Sequence, residues 1–200
     1  MKNYDWIHLT KTYKNIVKPN FTVLEIGASN INRTNEIAKY CKKLIGVEYL
    51  KARLLKNHNN IQYRLGDWQK LTKTISKNSI DLAISSHTIE HIPNDIKALN
   101  ELHSVLKPES FAILNTPNRK RLVRQIIELF TGEKKFPYWE HIREYTEHDL
   151  IELIKKTKFK KYKITPVCLG IHGGNFKIYL KKVPKPFRKF SNFWEITLKK

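Results

Sequence analysis

The stretch that decides the fold is Val23-Leu24-Glu25-Ile26-Gly27-Ala28-Ser29-Asn30. Its short apolar run ends at a glycine, which is typical of a buried strand leading into a tight turn. Because glycine has no Cβ, the backbone at Gly27 can approach a ligand closely. The sequence therefore predicts a strand whose carboxyl end contacts a ligand.

Apolar, β-rich segments of similar length continue on both sides of this stretch. The predicted strands are Phe21–Ile26, Leu44–Glu48, Ile61–Leu65, Ile80–Ser85, Phe111–Asn115, Tyr162–Cys168 and Phe193–Leu198. Amphipathic helical patterns cover Asn94–Leu106, Leu122–Phe130 and Thr146–Lys158. This alternation predicts one α/β domain over residues 1–200, with a parallel sheet covered on both faces and an N-terminal helical segment over 1–20. The last two strands lack a clear helix between them, so we expect an antiparallel pair at the sheet edge, where Pro166 is tolerated.

Acidic residues stand at the ends of the second and third predicted strands. Glu48 lies 21 residues after Gly27, and Asp67 follows Gly66 another 19 residues on. Ligands of open parallel sheets bind beyond the carboxyl ends of the strands. A carboxylate at the end of the second strand can accept hydrogen bonds from both ribose hydroxyls. One after the third strand can accept a hydrogen bond from an exocyclic amine. The pattern predicts a site for a nucleoside-containing ligand.

A dinucleotide fingerprint is absent at this turn. The pattern G-x-G-x-x-G starting at Gly27 needs glycines where the chain has Ser29 and Asn32. The sequence therefore disfavours a nicotinamide-dependent dehydrogenase.

Three segments together resemble the first three motifs of class I S-adenosylmethionine-dependent methyltransferases: VLEIGASN (23–30), LIGVEYL (44–50) and LGDWQKL (65–71). The segments IDLAISSHTIEHI (80–92) and ALNELHSVLKPESFAILNTPN (98–118) resemble the family's fourth-strand and fifth-strand blocks, and HIREYTEHDLIELIKKTKF (141–159) resembles the lead-in to the last strands. The resemblance is looser to a subgroup that acts in surface polysaccharide and lipid-linked sugar pathways.

This resemblance implies a Rossmann-like, doubly wound sheet of seven strands in the order 3-2-1-4-5-7-6, with strand 7 antiparallel. It implies S-adenosylmethionine as cofactor and S-adenosylhomocysteine as product. The implied cofactor contacts are Glu25, Gly27, Ala28 and Ser29 at the methionine end, Glu48 and Tyr49 at the ribose, Asp67 and Trp68 at the adenine, and Ser85 and Ser86 near the sulfonium. Ser29 and Ile31 stand where the family has its second and third glycines.

Three histidines are candidates for a general base. Methyl transfer from a sulfonium is an in-line displacement, and an oxygen acceptor benefits from a group that takes its proton near neutral pH. His87 and His91 flank the end of the fourth predicted strand, and His141 opens the HIREYT segment. The Glu90-His91 pair is the leading candidate, and a purely structural role is the alternative for each histidine. The sequence predicts no metal site.

The chain is strongly basic, with a net charge of +20. Residues 151–200 hold fourteen Lys or Arg against two acids. Within them, residues 176–190 hold six basic residues, four aromatics and no acid. This composition favours peripheral contact with an anionic membrane, or with RNA, while a solvated crossover loop over 170–192 is the plainer interpretation.

Several observations narrow the acceptor and the compartment. Residues 86–89 read Ser-His-Thr-Ile and lack the N-P-P-Y pattern of base-amine methyltransferases. The favoured acceptor is a small molecule or a lipid- or sugar-linked molecule, methylated at oxygen, with nucleic acid less favoured. The alternatives are an RNA methyltransferase and a non-catalytic RNA- or membrane-binding protein with a degenerate fold. The start shows no export signal, and two isolated cysteines fit the cytoplasm, including the inner face of the membrane.

Overall fold

The computed structural model describes residues 4–132, 141–173 and 176–200. Within these residues the strands are β1 (Thr22–Ile26), β2 (Lys43–Glu48), β3 (Ile61–Leu65), β4 (Ile80–Ser86), β5 (Leu106–Pro117), β6 (Lys161–Val167), β7 (Leu169–Gly173), β8 (Phe176–Leu180) and β9 (Phe193–Lys199). The helices are α1 (Tyr4–Ile16), α2 (Ile31–Ala38), α3 (Asp95–Val105), α4 (Leu122–Thr131) and α5 (Glu147–Lys155).

Seven of these strands form one sheet in the order β3-β2-β1-β4-β5-β9-β6. The first five strands along the chain pair in parallel, and β9 runs antiparallel to both β5 and β6. The predicted strand order is confirmed, with β9 in the place of the predicted seventh strand. Because β1 to β5 are parallel, their carboxyl ends share one edge of the sheet.

The hydrophobic core lies on both faces of this sheet. Val23 and Leu24 of β1 are both fully buried, although consecutive side chains of a strand point to opposite faces. Val23 packs in a cluster with residues of α1 and α2, and Leu24 packs in a second cluster with residues of α3 and α5. Burial on both faces explains why the strands read as continuous apolar runs.

Local capping signals in the sequence are confirmed by the structure. Asn94 caps α3 by accepting a hydrogen bond from the backbone N–H of Lys97. Thr146 and Asp149 form a reciprocal capping box at the start of α5. Gly132 ends α4 with a left-handed φ of +66°.

The sequence interpretation is wrong in detail at two places. Strand β5 begins at Leu106 instead of Phe111, because its first part pairs with β4 across a register shift that apolar periodicity does not reveal. Residues 170–192 contain more than a loop: β7 and β8 form a two-stranded antiparallel sheet, followed by a 3₁₀ turn over Lys185–Phe190. Two strands of five residues each carry little alternation to detect.

The turn after β1 is shaped by a glycine in the left-handed region. Gly27 has a φ of +77°, and a Cβ placed on it would lie 2.5 Å from Oγ1 of Thr88. Asn30 then caps α2 by accepting a hydrogen bond from the backbone N–H of Arg33. Both backbone conformation and packing therefore require glycine at this position.

We expect Gly27→Ala to lower the free energy of unfolding by about 2–4 kcal/mol, which combines left-handed strain with overpacking. Gly132→Ala is the matched control, because Gly132 has a similar φ but no atom of the described residues lies within 4 Å of the added Cβ. It should lose only about 1 kcal/mol. Urea denaturation of the two variants measures the difference. Equal losses would show that the contact with Thr88 contributes nothing.

Candidate functional site

The turns that follow β1, β2 and β3 meet at the carboxyl edge of the sheet. The backbone N–H of Gly27 donates to the carbonyl of Val47 over 2.9 Å, and that of Gly66 donates to the carbonyl of Glu48 over 2.9 Å. These bonds tie each turn to the neighbouring strand. The structure thus brings Gly27, Glu48 and the turn before Asp67 together, as the sequence predicts.

Glu25, the penultimate residue of β1, is a buried carboxylate held by an arginine. Its Oε1 accepts a hydrogen bond from Nε of Arg33 over 2.7 Å, and the same guanidinium donates to the carbonyl of Gly27 over 2.6 Å. Burial raises the pKa of Glu25, and Arg33 opposes that effect. The other carboxylate oxygen, Oε2, is buried without a hydrogen-bond partner. It is therefore available to a donor that is not part of the described chain.

Glu48 ends β2 with one oxygen held by the backbone. Its Oε1 accepts a hydrogen bond from the backbone N–H of Leu50 over 3.0 Å, which fixes the carboxylate at the edge. Tyr49, beside it, is 70% exposed. The anchored carboxylate of Glu48 can accept hydrogen bonds from hydroxyls, and the exposed ring of Tyr49 can stack on a planar base.

The two residues predicted at the adenine differ in their surroundings. Asp67 accepts a hydrogen bond from the backbone N–H of Gln69 over 2.8 Å and lies at the turn after β3. Trp68 is only 2% exposed and belongs to the core cluster that includes Leu71 and Ile75. Its ring is core packing, which corrects the prediction that it lies beside the adenine face.

The remaining predicted cofactor contacts lie in the turn after β1 and at the end of β4. Ala28 is fully buried and its methyl packs toward Gly46, so only its backbone faces the edge. Ser29 is exposed. Ser85 and Ser86 are buried, and the hydroxyl of Ser85 donates to the carbonyl of Ile26 over 3.2 Å. Ser85 thus joins β4 to β1, and Ser86 pairs with Asn115 of β5.

A second cluster of polar groups lies beyond the ends of β4 and β5. His87 has a φ of +52°, its ring packs edge-on against Phe193, and its Nδ1 lies 3.4 Å from Oε1 of Glu90. Glu90 is fully buried, and its Oε2 accepts a hydrogen bond from the hydroxyl of Thr116 over 3.1 Å. This carboxylate therefore lies directly behind the His87 ring.

The segment before α5 adds a third histidine to this cluster. The rings of His91 and His141 meet edge-to-face, with centroids 4.8 Å apart. Nδ1 of His141 lies 3.1 Å from Oε1 of Glu144, and Arg121 donates two hydrogen bonds to the same carboxylate. Burial raises the pKa of Glu144, but the bonds from His141 and Arg121 outweigh it and hold the pKa at about 2. The structure thus gathers all three predicted histidines at one end of the sheet.

Four residues of this edge were missed by the sequence interpretation. Arg33, Thr116, Arg121 and Glu144 hold Glu25, Glu90 and His141 in place. Arg33 stands one helical turn after the loop it binds, so spacing alone could have indicated it. The Arg121–Glu144 pair joins segments 23 residues apart and has no signature in the sequence.

Sequence and structure comparisons place this geometry in a known group. The family model described as a methyltransferase domain matches residues 3–164. An S-adenosylmethionine-dependent methyltransferase from Thermotoga maritima is 19% identical and superposes with a TM-score of 0.67, covering 98% of this chain and 90% of that one. The YcgJ protein from Bacillus subtilis is 16% identical with a TM-score of 0.71, covering 96% of this chain and 97% of that one. No curated protein matches the sequence.

At these identities the two solved structures support the fold, while the family model covers most of the chain. The chain belongs to the methyltransferase domain family and is an S-adenosylmethionine-dependent methyltransferase.

Proposed function

We propose that the protein methylates a hydroxyl oxygen of a small-molecule acceptor, or of a lipid- or sugar-linked one, on the cytoplasmic side of the membrane. The observation that carries this proposal is the histidine cluster with its buried carboxylates. This cluster lies on the same edge of the sheet as Glu48 and Asp67, which form the nucleoside half of that edge. An oxygen acceptor needs a group that takes its proton, and the cluster supplies imidazoles for that purpose.

The nucleoside half fits the cofactor. Glu48 presents its second carboxylate oxygen at the edge for the ribose hydroxyls, and Asp67 is placed for the adenine amine. Tyr49 is free of packing and can stack on the base. The unpartnered Oε2 of Glu25 is a suitable acceptor for the methionine ammonium, and Arg33 fixes its orientation.

His87 is the residue we assign as general base. When bound, S-adenosylmethionine supplies a methyl group on a positively charged sulfur. The Glu90 carboxylate near Nδ1 favours the tautomer that keeps the proton on that nitrogen, so Nε2 is left to accept the acceptor's proton. The edge-on contact with Phe193 holds the ring in place. His87 is partly exposed, whereas Glu90 behind it is not.

The membrane part of the proposal rests on exposed apolar side chains next to basic ones. Helix α4 exposes Ile126, Ile127, Leu129 and Phe130 by 42–82%, although its amphipathic pattern predicts a buried stripe. Strand β7 contacts α4, and β7 and β8 expose Ile171, Ile178 and Leu180. Lys182, Lys185 and Lys189 follow and are exposed.

This combination is typical of a protein that docks on anionic phospholipid. Apolar side chains enter the interface while the lysines contact the headgroups. In the described part of the chain, no helix is long and apolar enough to cross a membrane. A lipid-linked acceptor would lie in the surface on which such a protein docks.

We expect Glu48→Gln to weaken S-adenosylhomocysteine binding about tenfold and Glu48→Ala about a hundredfold, because charge-assisted hydrogen bonds are worth about 1.5–3 kcal/mol each. Glutamine keeps an oxygen for the N–H of Leu50, so its effect reports ligand contact more than folding. Glu152→Ala, which breaks an exposed pair with Lys155, is the control and should bind normally. Calorimetric affinities of all four proteins measure this. Unchanged binding in both Glu48 variants would refute the assignment.

His87→Asn should reduce methyl transfer by a factor of about 10²–10⁴ while leaving S-adenosylhomocysteine affinity unchanged. Asparagine tolerates the positive φ but cannot act as the base. The assay follows labelled methyl groups from the cofactor into small-molecule, lipid and RNA fractions of a cell extract. His148→Asn, at an exposed position of α5, is the control. Label found in RNA alone would contradict the proposed acceptor.

Vesicles that contain phosphatidylglycerol should retain the protein at low salt, and neutral vesicles should not. The double variant Leu129→Ser/Phe130→Ser should lose retention, because it removes the two most exposed apolar side chains of α4. Tyr162→Ser, which removes an exposed aromatic ring on β6, is the control. Retention by RNA but not by anionic vesicles would assign the basic surface to nucleic acid instead.

A further inference from the structure

We propose that Glu90, His91 and His141 form a divalent metal site of the zinc, cobalt or manganese type, which deepens and rests on the proposed function. One ligand atom of each residue lies within 4.8 Å of the others. Two imidazole nitrogens and one carboxylate oxygen are a donor set that these ions accept. The sequence predicts no metal here because the ligands come from segments fifty residues apart.

The spacing of these atoms is close to that of a coordinated set. Ligands at about 2.1 Å from one ion stand about 3.4 Å apart in a tetrahedron and at most about 4.2 Å apart in any geometry. From the 4.8 Å limit the cluster therefore needs to contract by about 0.6 Å to hold an ion and by about 1.4 Å to become tetrahedral, within reach of χ rotations of two edge-to-face rings.

The surroundings already orient the ligands as outer-shell groups do in metal sites. Glu144 near Nδ1 of His141 favours the tautomer with its lone pair on Nε2, and Arg121 fixes that carboxylate by two hydrogen bonds. Thr116 fixes one oxygen of Glu90. The backbone N–H groups of residues 142 and 143 donate to the carbonyl of Glu90 over 3.1 and 3.3 Å, which joins the two ligand segments.

Glu90 also lacks a compensating charge. Its side chain is fully buried, and its Oε1 accepts no hydrogen bond from the described residues. Across residues 4–132, 141–173 and 176–200, the basic group it meets within 4.0 Å is the His87 ring, at 3.4 Å. Burying a carboxylate without a cation is unfavourable by several kcal/mol, as an order of magnitude. A bound dication removes that cost.

Three protein ligands leave a coordination position for the acceptor. A hydroxyl bound there becomes more acidic, because the ion stabilises the oxygen anion. The hydroxyl proton passes to Nε2 of His87, the oxygen forms its bond to the methyl carbon, and the carbon–sulfur bond breaks with its electron pair going to sulfur. The proposal therefore specifies a hydroxyl acceptor that can bind a divalent ion.

The test is calorimetric titration of the full, chelator-treated chain with Co²⁺, and separately with Zn²⁺, without cofactor or acceptor. We expect one site per chain, and binding weakened about a hundredfold or more by His91→Ala and by His141→Ala. Glu144 is not a ligand in this proposal but orients His141, so the isosteric change Glu144→Gln should still weaken metal binding about 10–100-fold. His148→Ala is the control for adventitious binding to surface histidines.

No stoichiometric binding, or binding that survives both histidine changes, would overturn the metal site. The urea midpoint of each variant shows whether the variant is folded. A histidine variant that stays folded must still lose metal binding if its side chain is a ligand. S-adenosylhomocysteine affinity is measured on the same samples. Cofactor binding without metal binding refutes only the metal site, whereas metal binding without cofactor binding refutes the proposed function.

Discussion

The contact between Gly27 and Thr88 is the constraint on which the rest of the site depends. It packs the turn after β1 against the turn after β4, so close that a single added Cβ would lie 2.5 Å from a hydroxyl oxygen. Glu48 and Asp67 lie on one side of this contact, and His87 and Glu90 lie on the other. A parallel sheet brings strand ends to one edge, but this packing fixes the spacing between the Glu48 side of that edge and the His87 side.

Most of the fold was predictable because each step rests on local patterns. Strands β1, β2 and β4 are buried on both faces and read as apolar runs, and Asn94, Thr146 and Gly132 mark helix ends by chemistry that acts over three or four residues. The hairpin of β7 and β8 was not predictable. Its register depends on Gly170, whose position leaves no room for a Cβ beside the carbonyl of Ile178, and that fit is visible only in three dimensions.

The strand-end residues of the candidate site were predictable to a similar extent, and the residues around Glu90 were not. The acids at strand ends follow from strand boundaries, so Glu48 and Asp67 could be placed from the sequence. Trp68 was misplaced because an aromatic after a turn can face either the edge or the core, and packing decides between them. His141 and Glu144 reach the edge through a segment distant in sequence, so no spacing rule connects them with Glu90.

The buried carboxylates show how differently these two sides are balanced. Glu25 and Glu144 each have an arginine, and Glu195 has Nδ1 of His8 at 2.8 Å together with the hydroxyl of Thr12. Glu90 is as deeply buried as any of them, but among the described residues it accepts one hydrogen bond, from the hydroxyl of Thr116, and the basic group within 4.0 Å is an imidazole at 3.4 Å. Since a fold gains nothing from leaving a buried charge half-satisfied, the imbalance at Glu90 supports the proposal that a cation binds there, on the His87 side of the edge.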